Sequence, residues 1–295
     1  MLETFIDDLP FLVEALINGL LFGGVLALLS LGLNLIFGVV DVVWICYAEL
    51  VMFGMYAIFW LHADAGLGMP LILASVLAVL FVAVLGLLVH VLVISPILGT
   101  PPINQLLATG GLLFFLQSLA TLLWGIEFKN IGLRLDVLTW MDMYFSYARL
   151  LAFGVALVGM IVLYLFLTRT FLGTAIRAIS QDREIMTLMG VDANRIYGVT
   201  SVVGGGLAGL AACLLVLQYD VHPFVGLSFG PITFVICVLG GLGNMIGGFV
   251  AAFILSEIIA VGGFYAELEW GYVAAFVIFI VFMFIRPQGL FGSKS

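Results

Sequence analysis

The sequence predicts an all-α, polytopic membrane protein. Three observations carry that reading. Hydrophobic residues make up 64% of the 295-residue chain, charged residues only 9%, and the mean hydropathy is +1.33. So much apolar surface exceeds what a water-soluble core of this size can hide. The apolar residues also fall in long runs, about 20 residues each, the length a helix needs to cross the hydrocarbon layer while satisfying its own backbone. Finally, the shorter alternating segments of a transmembrane barrel are missing from the pattern.

Taken in order, the confident spans are Phe11 to Leu31, Leu71 to Ile94, Leu106 to Trp124, Leu150 to Leu167, Ile196 to Leu217 and Tyr272 to Ile285. Four shorter runs form two pairs: Leu33 to Ile45 with Leu50 to Leu61, and Ile232 to Leu239 with Met245 to Ile259. The first pair is split by "DVVWICYAE" and the second by "GGLGN". Each pair reads either as a broken or re-entrant helix lining a substrate path or as a tight hairpin between tilted helices. The expectation is therefore about eight full crossings, rising to about ten if both pairs count, in one domain spanning 1–295.

The acidic N-terminus, with Glu3, Asp7 and Asp8 and no basic residue, lacks the positive start of a cleaved signal, so the first apolar run is expected to be retained. Cys46, Cys213 and Cys237 sit in apolar segments without paired spacing, which points to packing rather than disulfides or a metal. No cluster of His, Cys and acids marks a catalytic centre, and His62, His90 and His222 are far apart in the chain. "GGLGNMIGG" lacks the lysine and hydroxyl of a phosphate loop, and no basic run suggests nucleic acid. No cofactor is expected.

The charge that exists gathers in "GTAIRAISQDREIMTLMGVD", Gly173 to Asp192. Counting ten segments puts this stretch on the side of both chain ends. That side holds Arg169, Arg177, Arg183, Arg195, Arg286 and Lys294, against Lys129, Arg134 and Arg149 opposite, so it is expected to be cytoplasmic. Trp60, Trp124, Trp140, Tyr265 and Trp270 lie near segment ends, where amphipathic rings favour the interface. Phe171 to Gly190 has no proline and ends at a glycine, which predicts one short helix. Ala175, Ala178, Ile179, Met186 and Met189 share one face, Arg177, Gln181 and Glu184 another, and Asp182 falls within the apolar face. Such a helix either lies on lipid headgroups or docks in a polar-rimmed groove of a partner.

Three ordered stretches, "NGLLFGGVLALLSLGLNLIFGVV", "AIRAISQDREIMTLMGVDANRIYGVTSVVGGGLAGLAACLL" and "FVICVLGGLGNMIGGFVAAFI", resemble the permease subunits of branched-chain amino acid ABC transporters. The resemblance implies a bacterial inner-membrane importer subunit with the charged loop and C-terminus cytoplasmic. Its partners would be a second related permease, two ATP-binding subunits and a periplasmic substrate-binding protein. It also implies that residues 171–192 form a coupling loop, with Arg177, Ala178, Asp182, Arg183, Glu184 and Gly190 facing the ATPase. In one place the chain departs from the family, whose usual run is valine, asparagine, phenylalanine, alanine, histidine, glycine, glutamate. Here it reads "VWICYAE", Val43 to Glu49, with Trp44, Tyr47 and Ala48 replacing the asparagine, histidine and glycine.

Candidate path residues are Asn18, Asn34, Asp41, Trp44, Tyr47, Glu49, Gly240, Gly241 and Gly243. For several of them a structural reading competes. Asn18 and Asn34 suit hydrogen bonds between helices, and the glycines suit a turn or a broken helix. Gly204, Gly205, Gly206 and Gly209 suit close helix packing, Glu257 a helix end near headgroups, and His90 interfacial packing. The substrate implied by the family is a branched-chain or other aliphatic amino acid, with urea or short amides as the alternative. An ion-coupled transporter using Glu49 or Asp41 is the second class of reading.

Overall fold

The computed structural model describes residues 2–63, 66–133, 137–140 and 143–292. Its helices are α1 (Leu2–Val40), α2 (Tyr47–His62), α3 (Leu71–Val89), a π-helical turn His90–Ile94 running into α4 (Ser95–Ile97), and α5 (Pro102–Trp124). They continue with α6 (Tyr147–Arg169), α7 (Phe171–Gln181), α8 (Arg183–Leu188), α9 (Ala193–Leu215), α10 (Val225–Gly240), α11 (Met245–Tyr265) and α12 (Leu268–Ile285). Among the described residues, six helical segments are long and apolar enough to cross a membrane: Phe11–Val40, Leu71–Ile97, Pro102–Trp124, Tyr147–Arg169, Ala193–Leu215 and Met245–Tyr265. Val225–Gly240 and Glu269–Ile285 are shorter apolar helices.

Two expectations need correction. The runs Phe11 to Leu31 and Leu33 to Ile45 are not separate segments, because α1 passes through both without a break and ends at Val40. Gly32, the residue between those runs, is helical and lies against the Tyr47 hydroxyl. The Ser30 hydroxyl donates to the Ala27 carbonyl at 2.9 Å, and Asn34 Oδ1 accepts from the Gly243 N–H at 3.2 Å. The stretch between the third and fourth long runs also holds an unforeseen antiparallel hairpin, β1 (Val137–Trp140) with β2 (Met143–Ser146), pairing Val137 with Ser146.

α1 is the axis of the bundle. Of its apolar window 83% is buried, against 22% for α5 and for α6, so α1 is the core and α5 and α6 present leucine and phenylalanine outward, as lipid-facing helices do. Between helices in lipid the attraction comes from packing and interhelical hydrogen bonds, so small residues mark the closest seams. Gly204 lies against Ile36 of α1, while Gly205 and Gly209 lie against Val82 and Val79 of α3. Gly206 faces open space apart from the Ala83 side chain. The three cysteines are buried and free, as packing residues should be.

The connections define two ends. At one end Asn18 of α1 meets Arg149 of α6, and Lys129 pairs with Val221 beyond α9. At the other, Gly38 of α1 meets Gly243, α7 packs on α1, and the chain after α12 folds back so that Leu290 N–H donates to the Leu239 carbonyl at 2.7 Å. The start of α1 therefore lies opposite the charged loop, whereas an even count of ten segments put both on one side. Arg169, Arg177, Arg183, Arg195 and Arg286 share the loop's end, and Lys129 and Arg149 the other. Arg134 and Lys294 lie outside the described residues.

Candidate functional site

Between α1 and α2 the chain leaves helical geometry for six residues, Asp41 to Cys46, and re-enters as α2 inside the protein. What holds α2 there is aromatic. Trp44 and Tyr47 are 1% and 2% exposed, and the Tyr47 hydroxyl tucks against Gly32 and donates to the Gly204 carbonyl of α9 at 3.1 Å. Farther along, Tyr56 stacks on Trp124 of α5 with ring centroids 4.1 Å apart. No side chain caps the N-terminus of α2. Its first turn carries Glu49.

Glu49 is fully buried, and Gln117 of α5 donates from Nε2 to its Oε1 at 3.0 Å. The other oxygen, Oε2, has no hydrogen-bond partner among the described residues, and neither does the buried indole N–H of Trp44. Gly226, in the first turn of α10, makes room for the carboxylate: a Cβ there would stand 2.5 Å from Glu49 Oε1. Around this group opens a cavity of about 400 Å³, walled by α1, the Trp44 to Glu49 segment, α5 and α10. Apart from Glu49 its wall is almost wholly apolar, with Leu33, Leu106, Leu113, Leu227 and Phe234 among the lining side chains. A groove of about 680 Å³, lined by Gln117, Thr121, Phe224 and Leu227, adjoins it at Leu227.

Of the candidate path residues, the structure brings together Trp44, Tyr47 and Glu49, with Ala48 beside them. The rest lie elsewhere. Asn34 Oδ1 bonds the α10–α11 turn, and Asn18 accepts from Arg149 Nη1 at 2.8 Å in the lining of a separate cavity of about 220 Å³. Asp41 is exposed at the end of α1, with φ +57°. Gly240, Gly241 and Gly243 form the turn before α11, packed against Gly247, Gly292 and Gly38. Glu257 is in the interior of α11, beside Gly19, and not at the helix end. His90 is buried and packs against the Tyr197 ring, where α3 turns π-helical.

The charged loop forms a second candidate region. Instead of one helix there are two, α7 and α8, and Asp182 is the corner between them. Its N–H closes α7 on the Ala178 carbonyl at 3.1 Å, and its Oδ1 caps α8 by accepting from Ile185 N–H at 2.9 Å. An aspartate in extended geometry that accepts a first-turn N–H is a standard N-cap, so Asp182 is not part of an apolar face. α8 ends as its sequence suggested: Gly190 adopts φ +87°, and Val191 N–H donates to the Met186 carbonyl while Gly190 N–H donates to Thr187. These paired bonds are a Schellman cap, which needs a residue that tolerates positive φ.

α7 buries Ala175, Ile176 and Ile179, with Ala178 half-buried. α8 buries nothing: Arg183, Glu184, Ile185 (57%), Leu188 (87%) and Met189 (77%) are exposed. Arg177 is exposed too. The Arg183 guanidinium lies 5.2 Å from the buried Tyr197 ring, tying this corner to α9.

The chain matches the family model described as "Branched-chain amino acid transport system / permease component" over residues 15–285. It belongs to that family. The permease is 29% identical over 296 residues to the high-affinity branched-chain amino acid transport system permease protein BraD of Pseudomonas aeruginosa, with 96% of each chain covered. To the corresponding permease protein LivH of Escherichia coli K12 it is 24% identical over 304 residues, with 98% of each covered. Among solved structures, PsaBC from Streptococcus pneumoniae in complex with Fab aligns with TM-score 0.50 and 17% identity over 99% of this chain and 98% of that one, a likeness of fold alone. Within this permease, Gln117, Gly226 and Tyr197 are the contributors that sequence reasoning missed. A glutamine inside "FFLQSLATLL" was the available signal for the first, and the other two carry none.

Proposed function

We propose that this chain is one of two related permease subunits of an ABC importer and forms half of the path for a branched-chain or other aliphatic amino acid. In this reading two ATP-binding subunits on other chains supply the energy, and a periplasmic binding protein delivers the substrate. Nine helical segments cross the bacterial inner membrane: α1, α2, α3 with α4, α5, α6, α9, α10, α11 and α12. The α7–α8 loop and the C-terminus face the cytoplasm, supported by the five arginines at that end. The path runs past Glu49, Trp44 and Tyr47. Trp44, Tyr47 and Ala48, where the family's usual run has asparagine, histidine and glycine, fill more space and narrow the cavity, and Trp44 and Ala48 make its wall more apolar.

The observation that carries the coupling role is the exposed tip of α8. Ile185, Leu188 and Met189 present apolar surface beside Arg177, Arg183 and Glu184, the mixed face a groove on a partner recognises. A short helix capped at both ends by Asp182 and Gly190 moves as a body, and Arg183 against Tyr197 passes that motion to α9. Affinity purification of the tagged chain from its own membrane tests this. It should bring down a second permease and two ATP-binding polypeptides, and Asp182→Lys should uncouple ATP hydrolysis from uptake. Recovery of a transport-active protein with no ATPase overturns the reading. A lone buried carboxylate also suits an ion-coupled carrier; import by the isolated chain under an imposed proton gradient is the outcome that favours it.

A further inference from the structure

We infer that the cavity at the start of α2 is a binding site for an aliphatic α-amino acid zwitterion, with Glu49 Oε2 receiving the ammonium group. This inference rests on the permease reading above and names what that path recognises.

A carboxylate buried at membrane depth is expensive and persists where a counter-charge or a ligand completes it. Glu49 has one oxygen engaged by Gln117 and one free, and no Lys, Arg or His lines the cavity among the described residues. The vacancy is thus for a cationic donor. Gln117 is a positioning residue: by holding Oε1 it turns Oε2 toward an incoming group, and Gly226 keeps the space clear.

A second vacancy has the opposite polarity. The indole N–H of Trp44, on the same lining segment, is buried without an acceptor. The N-terminus of α2 opens beside it with no capping side chain, and the positive end of a helix favours an anion. One orphan acceptor and one orphan donor, placed within two turns of chain, match the ammonium and carboxylate of a single α-amino acid. The remaining wall, of Leu33, Leu106, Leu113, Leu227 and Phe234, suits an aliphatic side chain. A neutral amide or urea leaves the carboxylate uncompensated and should be rejected, since a site built for a charged donor discriminates against ligands that lack it. The neighbouring groove shares Leu227 with the cavity and is lined by Gln117, the partner of Glu49, which places an opening beside the site.

The test uses the complete complex in nanodiscs, without nucleotide or binding protein, and measures radiolabelled L-leucine binding directly. Competition by isoamylamine, which keeps the ammonium, is compared with competition by 4-methylpentanamide, which is neutral. The wild type should bind leucine and prefer the amine by at least about tenfold. Glu49→Gln should weaken leucine binding by roughly 10- to 100-fold, the loss expected for one charge-assisted hydrogen bond, and abolish the preference for the amine. Trp44→Phe should weaken leucine binding while leaving the amine's competition intact. If Glu49→Gln does not assemble, the wild-type comparison of amine with amide decides alone. Leucine binding within twofold of wild type in Glu49→Gln, equal competition by amine and amide, or no leucine binding at millimolar concentration overturns the inference. ATP-driven uptake by the same wild-type complex is measured in parallel: its presence with a failed binding prediction rejects this site only, and its absence rejects the permease reading.

Discussion

Residues 41–46 and residue 182 are both places where helix gives way to extended chain and then resumes, yet they are built on opposite terms. At Asp182 the interruption is one residue long, exposed, and self-sufficient: its N–H and its carboxylate both find backbone partners within one turn. At 41–46 the break starts at exposed Asp41 but turns its Trp44 side chain inward, and the Trp44 indole N–H and one oxygen of Glu49, in the turn that follows, are buried without partners among the described residues. Water would satisfy such groups at a surface, but in a membrane interior they cost free energy unless something completes them. The difference teaches that the exposed break can be explained by local hydrogen bonding alone, whereas the buried one calls for a ligand. The first positions a tip for a partner, and the second leaves a vacancy for a substrate.

The largest effect that separates the two regions should come from Leu188→Asp. The residue is 87% exposed and supports no packing, so stability should change by no more than about 0.5 kcal/mol. ATP-driven uptake should nevertheless fall roughly 10- to 100-fold, the cost of losing an anchor at an interface. Uptake equal to wild type would remove α8 from the coupling contact. Next, Gly226→Val puts a branched side chain where Glu49 sits, and overpacking of this kind costs about 1–3 kcal/mol. A lowered thermal midpoint in detergent together with lost uptake is expected; an unchanged midpoint means that Glu49 can move aside.

Gln117→Leu is the subtler probe of the same cavity. It leaves both Glu49 oxygens unpartnered, which should destabilise the fold by about 1–3 kcal/mol, read as a shift in the denaturation midpoint. Smallest of all is Asp182→Ala, which removes the α8 cap for about 1 kcal/mol. Because α8 is peripheral, the global midpoint should hold while amide exchange in residues 183–188 quickens roughly fivefold. Faster exchange throughout the bundle would mean that the corner is part of the core.

The spans were legible because a helix crossing lipid must be apolar for its whole length, and five of the six long runs fall in such helices; Tyr272 to Ile285 lies instead in a shorter apolar helix, while the run from Met245, read as short, belongs to a 21-residue span. What misled was a glycine taken as the end of a run: Gly32 parts two apolar runs in the sequence, but α1 passes through it and packs it against Tyr47. Asp182 misled in the reverse sense: a helical wheel assumes an unbroken helix, so a cap appeared as an acid in an apolar face, although an aspartate opening "DREIM" is itself a helix-start signal. The site was half legible. Glu49, Trp44 and Tyr47 were named from the sequence, whereas Gln117 and Gly226 come from helices far away in the chain, and no local pattern joins them to Glu49.

The central claim is that the buried break carries the substrate and the exposed corner carries the drive. Uptake and ATP hydrolysis measured on the same proteoliposomes, with the complete complex bearing either Gly226→Val or Leu188→Asp, test it most directly. The account predicts that the cavity variant hydrolyses ATP without importing substrate, and that the corner variant loses substrate-stimulated hydrolysis along with import. Indistinguishable profiles for the two variants, or normal import by either, would contradict it.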